Sequence, residues 1–146
     1  MNHETFCEFS LPCLRRIVTE VKQALRDSAI PTVPMIVFAK GAFYAVDDLA
    51  STEYDVIGLD WTIDPAEARR ITREKGKALQ GNLDPAALYG SVESIEERTA
   101  AMVRKFGTVG LIANLGHGMH PDMNPEHLKA FVNAVHKSSE ELTRKE

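Results

Sequence analysis

The chain has 146 residues, 44% of them hydrophobic and 26% charged, with a formal net charge of −4. That length and apolar content suit one globular domain and exclude a disordered chain, while the acidic balance supplies no basic field for nucleic acid or an anionic membrane surface. Cys7 and Cys13 form no CxxC pair, the opening residues lack the pattern of a signal peptide, and no apolar run approaches the roughly 20 residues of a bilayer span, so a reduced, cytoplasmic setting is expected.

Apolar residues at Phe6, Phe9, Leu14, Ile17, Val21 and Leu25 recur at near-helical intervals and predict a helix from Phe6 to about Asp27. Pro12 falls near its first turn, and Arg15, Arg16, Glu20, Lys22 and Arg26 are expected on its solvated face. Pro31 and Pro34 then favour extended backbone. Met35-Ile-Val-Phe-Ala39 reads as a first strand buried on both faces, ending at Lys40-Gly41. Ala42 to Ser51 reads as a short helix with Ala45, Val46 and Leu49 inward and Asp47 and Asp48 outward.

Asp55 to Asp60 is the second predicted strand, followed by Asp64 as a cap, Pro65 in the first helical position and a helix to about Arg73. Lys77 to Gly81 is the third strand, and Asn82-Leu-Asp-Pro85 opens a short turn around Ala86 to Tyr89. Ser91 caps a helix whose Ile95, Met102 and Phe106 share one stripe, and Val109 to Asn114 is the fourth strand. Asn124-Pro125 opens a last helix with Leu128, Phe131, Val132 and Val135 inward.

One helix followed by four strand-helix units, with no shift in composition, predicts a single domain over residues 1–146: α/β, a parallel sheet with helices packed outside it. A small open doubly wound sheet and part of a (β/α) barrel both satisfy this order. No Gly-x-Gly-x-x-Gly follows the first strand, so a dinucleotide fold has no support.

In either architecture ligands bind at the carboxyl ends of the strands. Those ends carry Lys40, Asp60 with Trp61, Asn82 with Asp84, and His117. Lys40 also fits a solvated strand end, Asp60 a loop anchor and Trp61 plain packing, while Asn82 beside Gly81 fits a left-handed turn. Asp84 and Asn124 each precede a proline at a helix start and read as caps. His117 stands apart because Gly116 and Gly118 bracket it, removing bulk and permitting positive φ where a ligand approaches. His120, His127 and His136 offer no metal pair, no Cys or His cluster has zinc spacing, and no nucleophile elbow supports a Ser-His-Asp triad.

Five segments in order, Val33-Pro-Met-Ile-Val-Phe-Ala-Lys40, Gly58-Leu-Asp-Trp61, Leu79-Gln-Gly-Asn-Leu-Asp-Pro85, Ala113-Asn-Leu-Gly-His-Gly118 and Pro121-Asp-Met-Asn-Pro-Glu-His127, resemble the carboxyl-terminal part of the uroporphyrinogen decarboxylase family. The resemblance covers nearly the whole chain, including the helix from Phe9 to Arg26, and makes it look like the last two fifths of such an enzyme. It implies the final four strands of a (β/α)8 TIM barrel and a homodimeric cytoplasmic enzyme of porphyrin and haem biosynthesis. The implied reaction removes carboxyl groups from the four acetate side chains of uroporphyrinogen to give coproporphyrinogen, without metal or organic cofactor. The reduced pyrrole is itself the electron sink in that chemistry: ring carbon is protonated, carbon dioxide leaves, and the carbanion equivalent is reprotonated.

Family members hold carboxylates with arginines near the amino terminus, and the pyrrole N–H groups with an aspartate on an early strand. They add a tyrosine and a serine from the middle of the barrel. None of those positions has a counterpart here. The one substrate contact that the resemblance carries over is His117, whose imidazole suits a substrate carboxylate as hydrogen-bond donor or cation. No residue is thereby assigned as catalytic, and full turnover by this chain alone is not expected. A corrinoid-linked methyltransferase on a related barrel would need thiolate and imidazole zinc ligands at strand ends, where neither Cys7 nor Cys13 lies.

Four strands of eight would leave Met35 to Ala39 and Val109 to Ala113 as apolar edges, which natural sheets cover or blunt with charge. A second copy, a separate chain or further residues of a longer protein would each cover them. A catalytically silent chain that binds a partner or a porphyrin is the alternative to the decarboxylase.

Overall fold

A computed structural model describes residues 1–144. In chain order the elements are α1 (His3–Thr5), a π turn (Phe6–Ser10), α2 (Leu11–Asp27), β1 (Ile36–Phe38), a 3-10 turn (Phe43–Ala45) and α3 (Val46–Ala50). Then follow β2 (Val56–Gly58), α4 (Pro65–Thr72), a 3-10 turn (Arg73–Lys75), β3 (Ala78–Leu83), a 3-10 turn (Pro85–Tyr89), α5 (Val92–Phe106), β4 (Leu111–Leu115) and α6 (Pro125–Thr143). The strands lie side by side in sequence order, all parallel, with Val37, Ile57, Leu79 and Leu111 in one register row.

That row faces the helices and forms the core with Val18, Leu49, Leu88, Ile95 and Val103. The next row, Phe38, Gly58, Gln80 and Ile112, lies on the other face, where no helix of the described residues packs. Ile36, Phe38 and Ile112 are 47%, 47% and 44% exposed there, so the sheet is an unclosed arc of a (β/α) barrel with its inner face bare. β1 and β4 are its edges, as the strand order predicts.

The side-chain caps at the strand-to-helix turns match the sequence reading. Asp64, Asp84 and Asn124 each accept a hydrogen bond from the backbone N–H two residues on, at 2.9, 2.9 and 3.0 Å. Ser91 accepts from Ser94 N.

Five expectations need correction. The stripe of the first helix holds only in part: Phe6 is buried, Leu14 packs against the core and Leu25 is half-buried, but Phe9, Ile17 and Val21 are exposed, whereas Leu11 and Val18 are buried. The π turn is the cause, because its extra residue turns every later side chain by about 100° relative to an unbroken helix. The rotation also carries Lys22 off the solvated face, so that its half-buried stem directs the ammonium to Glu53 O at 2.6 Å and to Asp55. β1 is buried on one face only, since none of the described residues covers the inner side of the arc. β3 runs on through Asn82 and Leu83 instead of ending at Gly81, and on α6 Val132 is exposed while Ala130, Ala134 and Ser138 take its place beside Phe131.

Asp55 ties α2 to both strands at their amino ends, accepting from Met35 N at 2.8 Å and pairing with Lys22 at 3.0 Å. Burial pushes its carboxyl up, but the Met35 N–H, Lys22 and Lys77 outweigh that and hold it below the ordinary value. A carboxyl depressed by folding stabilises the fold above its unfolded pKa, about 3.9, and loses that contribution as pH falls through the folded value. Denaturant unfolding is therefore expected to give constant stability from neutrality to about pH 5 and a decline below it. Asp55→Asn should lower the neutral plateau and flatten the decline; an unchanged slope would remove Asp55 from this account.

Candidate functional site

The carboxyl end of the arc holds an open cavity of about 270 Å3 on the inner face, lined by residues of all four strands and the loop after β4. Phe38 of β1 forms one wall and Gln80 of β3 the floor, while Asn114 and the Gly116-His117-Gly118 loop form the opposite wall. The His117 ring lies 6.3 Å from that of Phe38, centroid to centroid and tilted by 57°, so the imidazole spans from the last strand towards the first across the mouth. The side chain is exposed, and none of its atoms hydrogen-bonds elsewhere among the described residues. An apolar ring, a carboxamide and a free imidazole around one concavity suit a ligand with an apolar body and peripheral polar groups.

The glycines act differently from the sequence expectation. Neither Gly116 nor Gly118 has positive φ. A Cβ on Gly116 would lie 2.8 Å from Trp61 N and 3.1 Å from Asp60 Cα, so its role is the close approach of the β4 loop to the end of β2. A Cβ on Gly118 would meet nothing within 4 Å. Gly116→Ala is accordingly expected to cost about 1–3 kcal/mol in urea unfolding and to displace His117, whereas Gly118→Ala should leave stability near the parent's. Equal midpoints for the two variants would refute this distinction.

Of the other strand-end candidates, Asp60 is a loop anchor. It is buried, and its carboxylate accepts from Gly41 N at 2.5 Å, from Thr62 N at 2.9 Å and from the Thr62 hydroxyl. Burial raises its carboxyl, yet the Thr62 and Gly41 donors and the Lys40 charge prevail and hold it low, hence ionised at neutral pH. Lys40 sits with its ammonium 5.9 Å from the centroid of the partly exposed Trp61 ring, a cation–π contact outside the cavity.

Asn82 does not form the turn that its place beside Gly81 suggests. It is buried within β3, where Nδ2 donates to Asp60 O and to Ile63 O, each at 2.8 Å, fastening the loop after β2. His127 is also structural, with Nδ1 2.7 Å from Leu88 O. Phe38, Gln80 and Asn114 are the cavity residues that strand-end reading missed, because they lie within strands and are identified only by which side chains face inward. Period-two alternation back from the strand ends was the available signal.

The uroporphyrinogen decarboxylase (URO-D) family model matches residues 1–138. A uroporphyrinogen decarboxylase of Danio rerio is 55% identical over 141 residues, covering 96% of this chain and 38% of that protein. Those of Schizosaccharomyces pombe and Homo sapiens are 50% and 49% identical, covering 94% and 93% of this chain and 39% and 37% of theirs. The chain thus spans less than two fifths of the length of the curated relatives it matches. Among solved structures, a methyltransferase from Methanosarcina mazei superposes with a TM-score of 0.76 at 17% identity, over 94% of this chain and 38% of its own, a likeness of fold alone. With nearly its full length matched by one family model and half its residues shared with such distant relatives, the chain belongs to the uroporphyrinogen decarboxylase family.

Proposed function

We propose that the chain supplies the carboxyl-terminal wall of a uroporphyrinogen decarboxylase site in porphyrin synthesis, and that His117 binds a substrate carboxylate there. The observation that carries this reading is the free His117 imidazole over a concavity lined by Phe38, Gln80 and Asn114. The macrocycle is apolar across its rings and bears eight carboxylates at its rim, which matches an aromatic wall beside polar donors. The reaction also needs a group facing the ring as it becomes cationic, and the described inner face offers no carboxylate among the residues lining the cavity. Losing such preorganised electrostatics costs about 3 kcal/mol or more of barrier lowering, so this chain binds substrate but turns over only when the rest of the barrel is supplied.

The bare inner face supports a second element of the proposal, that the chain is a homo-oligomer or is covered by further strands. Its setting is the cytoplasm, in keeping with the free thiols of Cys7 and Cys13. Two measurements test these statements. Light scattering of the purified chain should give a species larger than a monomer; a stable monodisperse monomer would overturn the association. Anaerobic incubation with uroporphyrinogen, followed by chromatography of partly decarboxylated products, should show turnover only when a polypeptide carrying the first strands of a family member is added. Porphyrin binding with no turnover under complementation would establish the silent alternative.

A further inference from the structure

The amino-terminal turn carries a side-chain cluster that the tetrapyrrole reading does not use. His3 and Cys7 stand four residues apart on one face of the first helical turns, and Asp48 reaches them from α3. His3 Nε2 lies 2.7 Å from Asp48 Oδ2 and 3.4 Å from Cys7 Sγ, and the three ligand atoms lie within 4.8 Å of one another. None of the three residues lines the His117 cavity.

We propose that His3, Cys7 and Asp48 bind a thiophilic divalent transition metal, with Zn2+ the best fit. Both contacts of the imidazole fall on the same nitrogen, Nε2. A relay that activates a thiol uses the two ring nitrogens in opposite directions, one towards sulfur and one towards the carboxylate. Here the three donor atoms face a common point, as ligands do. In a tetrahedral zinc site with bonds of about 2.0–2.3 Å, neighbouring ligand atoms are roughly 3.3–3.5 Å apart. The His3–Cys7 separation already has that value, and Asp48 Oδ2 needs to retreat by about half an ångström from a hydrogen-bonding distance.

Imidazole, thiolate and carboxylate together favour zinc over calcium or magnesium, which take oxygen donors, and a water completes the fourth position. On binding, the Cys7 thiol gives its proton to solvent, and the imidazole binds through Nε2 with its proton on Nδ1.

The surroundings hold the ligands in place before the metal arrives. The His3 ring packs edge-on against Tyr44 at 5.9 Å, and the Tyr44 hydroxyl donates to Met1 O at 2.7 Å. Cys7 and Asp48 are half-buried, and Cys7 packs against the core. A bound ion would cross-link the first turn to α3 and raise the stability of that corner of the fold.

Cobalt is the probe, because thiolate ligation to Co2+ gives a near-ultraviolet charge-transfer band. Titration of the full reduced chain should saturate at one equivalent, with the band bleached by added Zn2+. Cys7→Ser should abolish the band, and His3→Gln and Asp48→Asn should each weaken binding by about tenfold or more. Cys13→Ser, at the other free and exposed thiol, should match the parent. Circular dichroism of each variant checks folding, and a zinc-dependent rise in melting temperature should appear in the parent and vanish in Cys7→Ser. A band that survives Cys7→Ser, one that depends on Cys13, an affinity indifferent to both His3 and Asp48, or no band at all would each overturn the proposal.

Discussion

Asn82→Ala is expected to destabilise the chain by about 3 kcal/mol. The carboxamide is buried and serves two carbonyls at once, those of Asp60 and Ile63. Truncation leaves both acceptors without their donor and removes buried side-chain atoms, so the loss of two hydrogen bonds and the loss of packing add. The loss reaches the site, because Asp60 fixes Gly41 and Thr62, and Gly116 packs against the same Asp60–Trp61 backbone. Urea unfolding should show a lower midpoint at unchanged slope, with a melting temperature lower by roughly 10 °C. A variant that unfolds with the parent would show that the loop after β2 is held by Asp60 alone.

His117→Ala is expected to act on the ligand and not on the fold. The side chain is exposed and makes no hydrogen bond among the described residues, so stability should change by less than about 0.5 kcal/mol. A hydrogen bond to a charged carboxylate contributes about 1.5–3 kcal/mol, so affinity for uroporphyrin, followed by fluorescence quenching, should fall by about tenfold or more. His117→Gln, which keeps a donor, should recover part of it. Unchanged affinity in both variants would remove His117 from the binding surface. A parallel loss of melting temperature would instead make its role structural.

The two variants separate the work of neighbouring strand ends. The carboxyl ends of β2 and β3 carry groups spent on the scaffold, Asp60 just after β2 and Asn82 near the end of β3, both hydrogen-bonded to neighbouring loops. The loop after β4 carries His117, which is exposed and makes no hydrogen bond among the described residues. All are polar residues at a strand mouth, and only their partners distinguish them.

Much of this is written in local sequence. Alternating apolar runs and Asp-Pro or Asn-Pro openings specify parallel strand-helix units, because strand length, caps and the proline at the first helical position act within a few residues. The Leu-Gly-His-Gly loop and the order of the five family segments are equally local. Several features depend on distant contacts. The π turn rotated the face of α2 by one residue, a shift that no periodicity count detects in advance. The exposure of one face of β1 follows from what fails to cover it, and an apolar run looks the same whether its second face is covered or bare. Gly116 is small because another segment's backbone passes beside it.

The His3, Cys7 and Asp48 cluster joins positions whose sequence spacing carries no metal signature, since packing of the first turn against α3 alone brings Asp48 to the other two. Local residues thus determined the elements, their order and the histidine loop. The tertiary fold decided which side chains meet, because convergence of groups far apart in the chain depends on how helices dock and on which face of the sheet is covered.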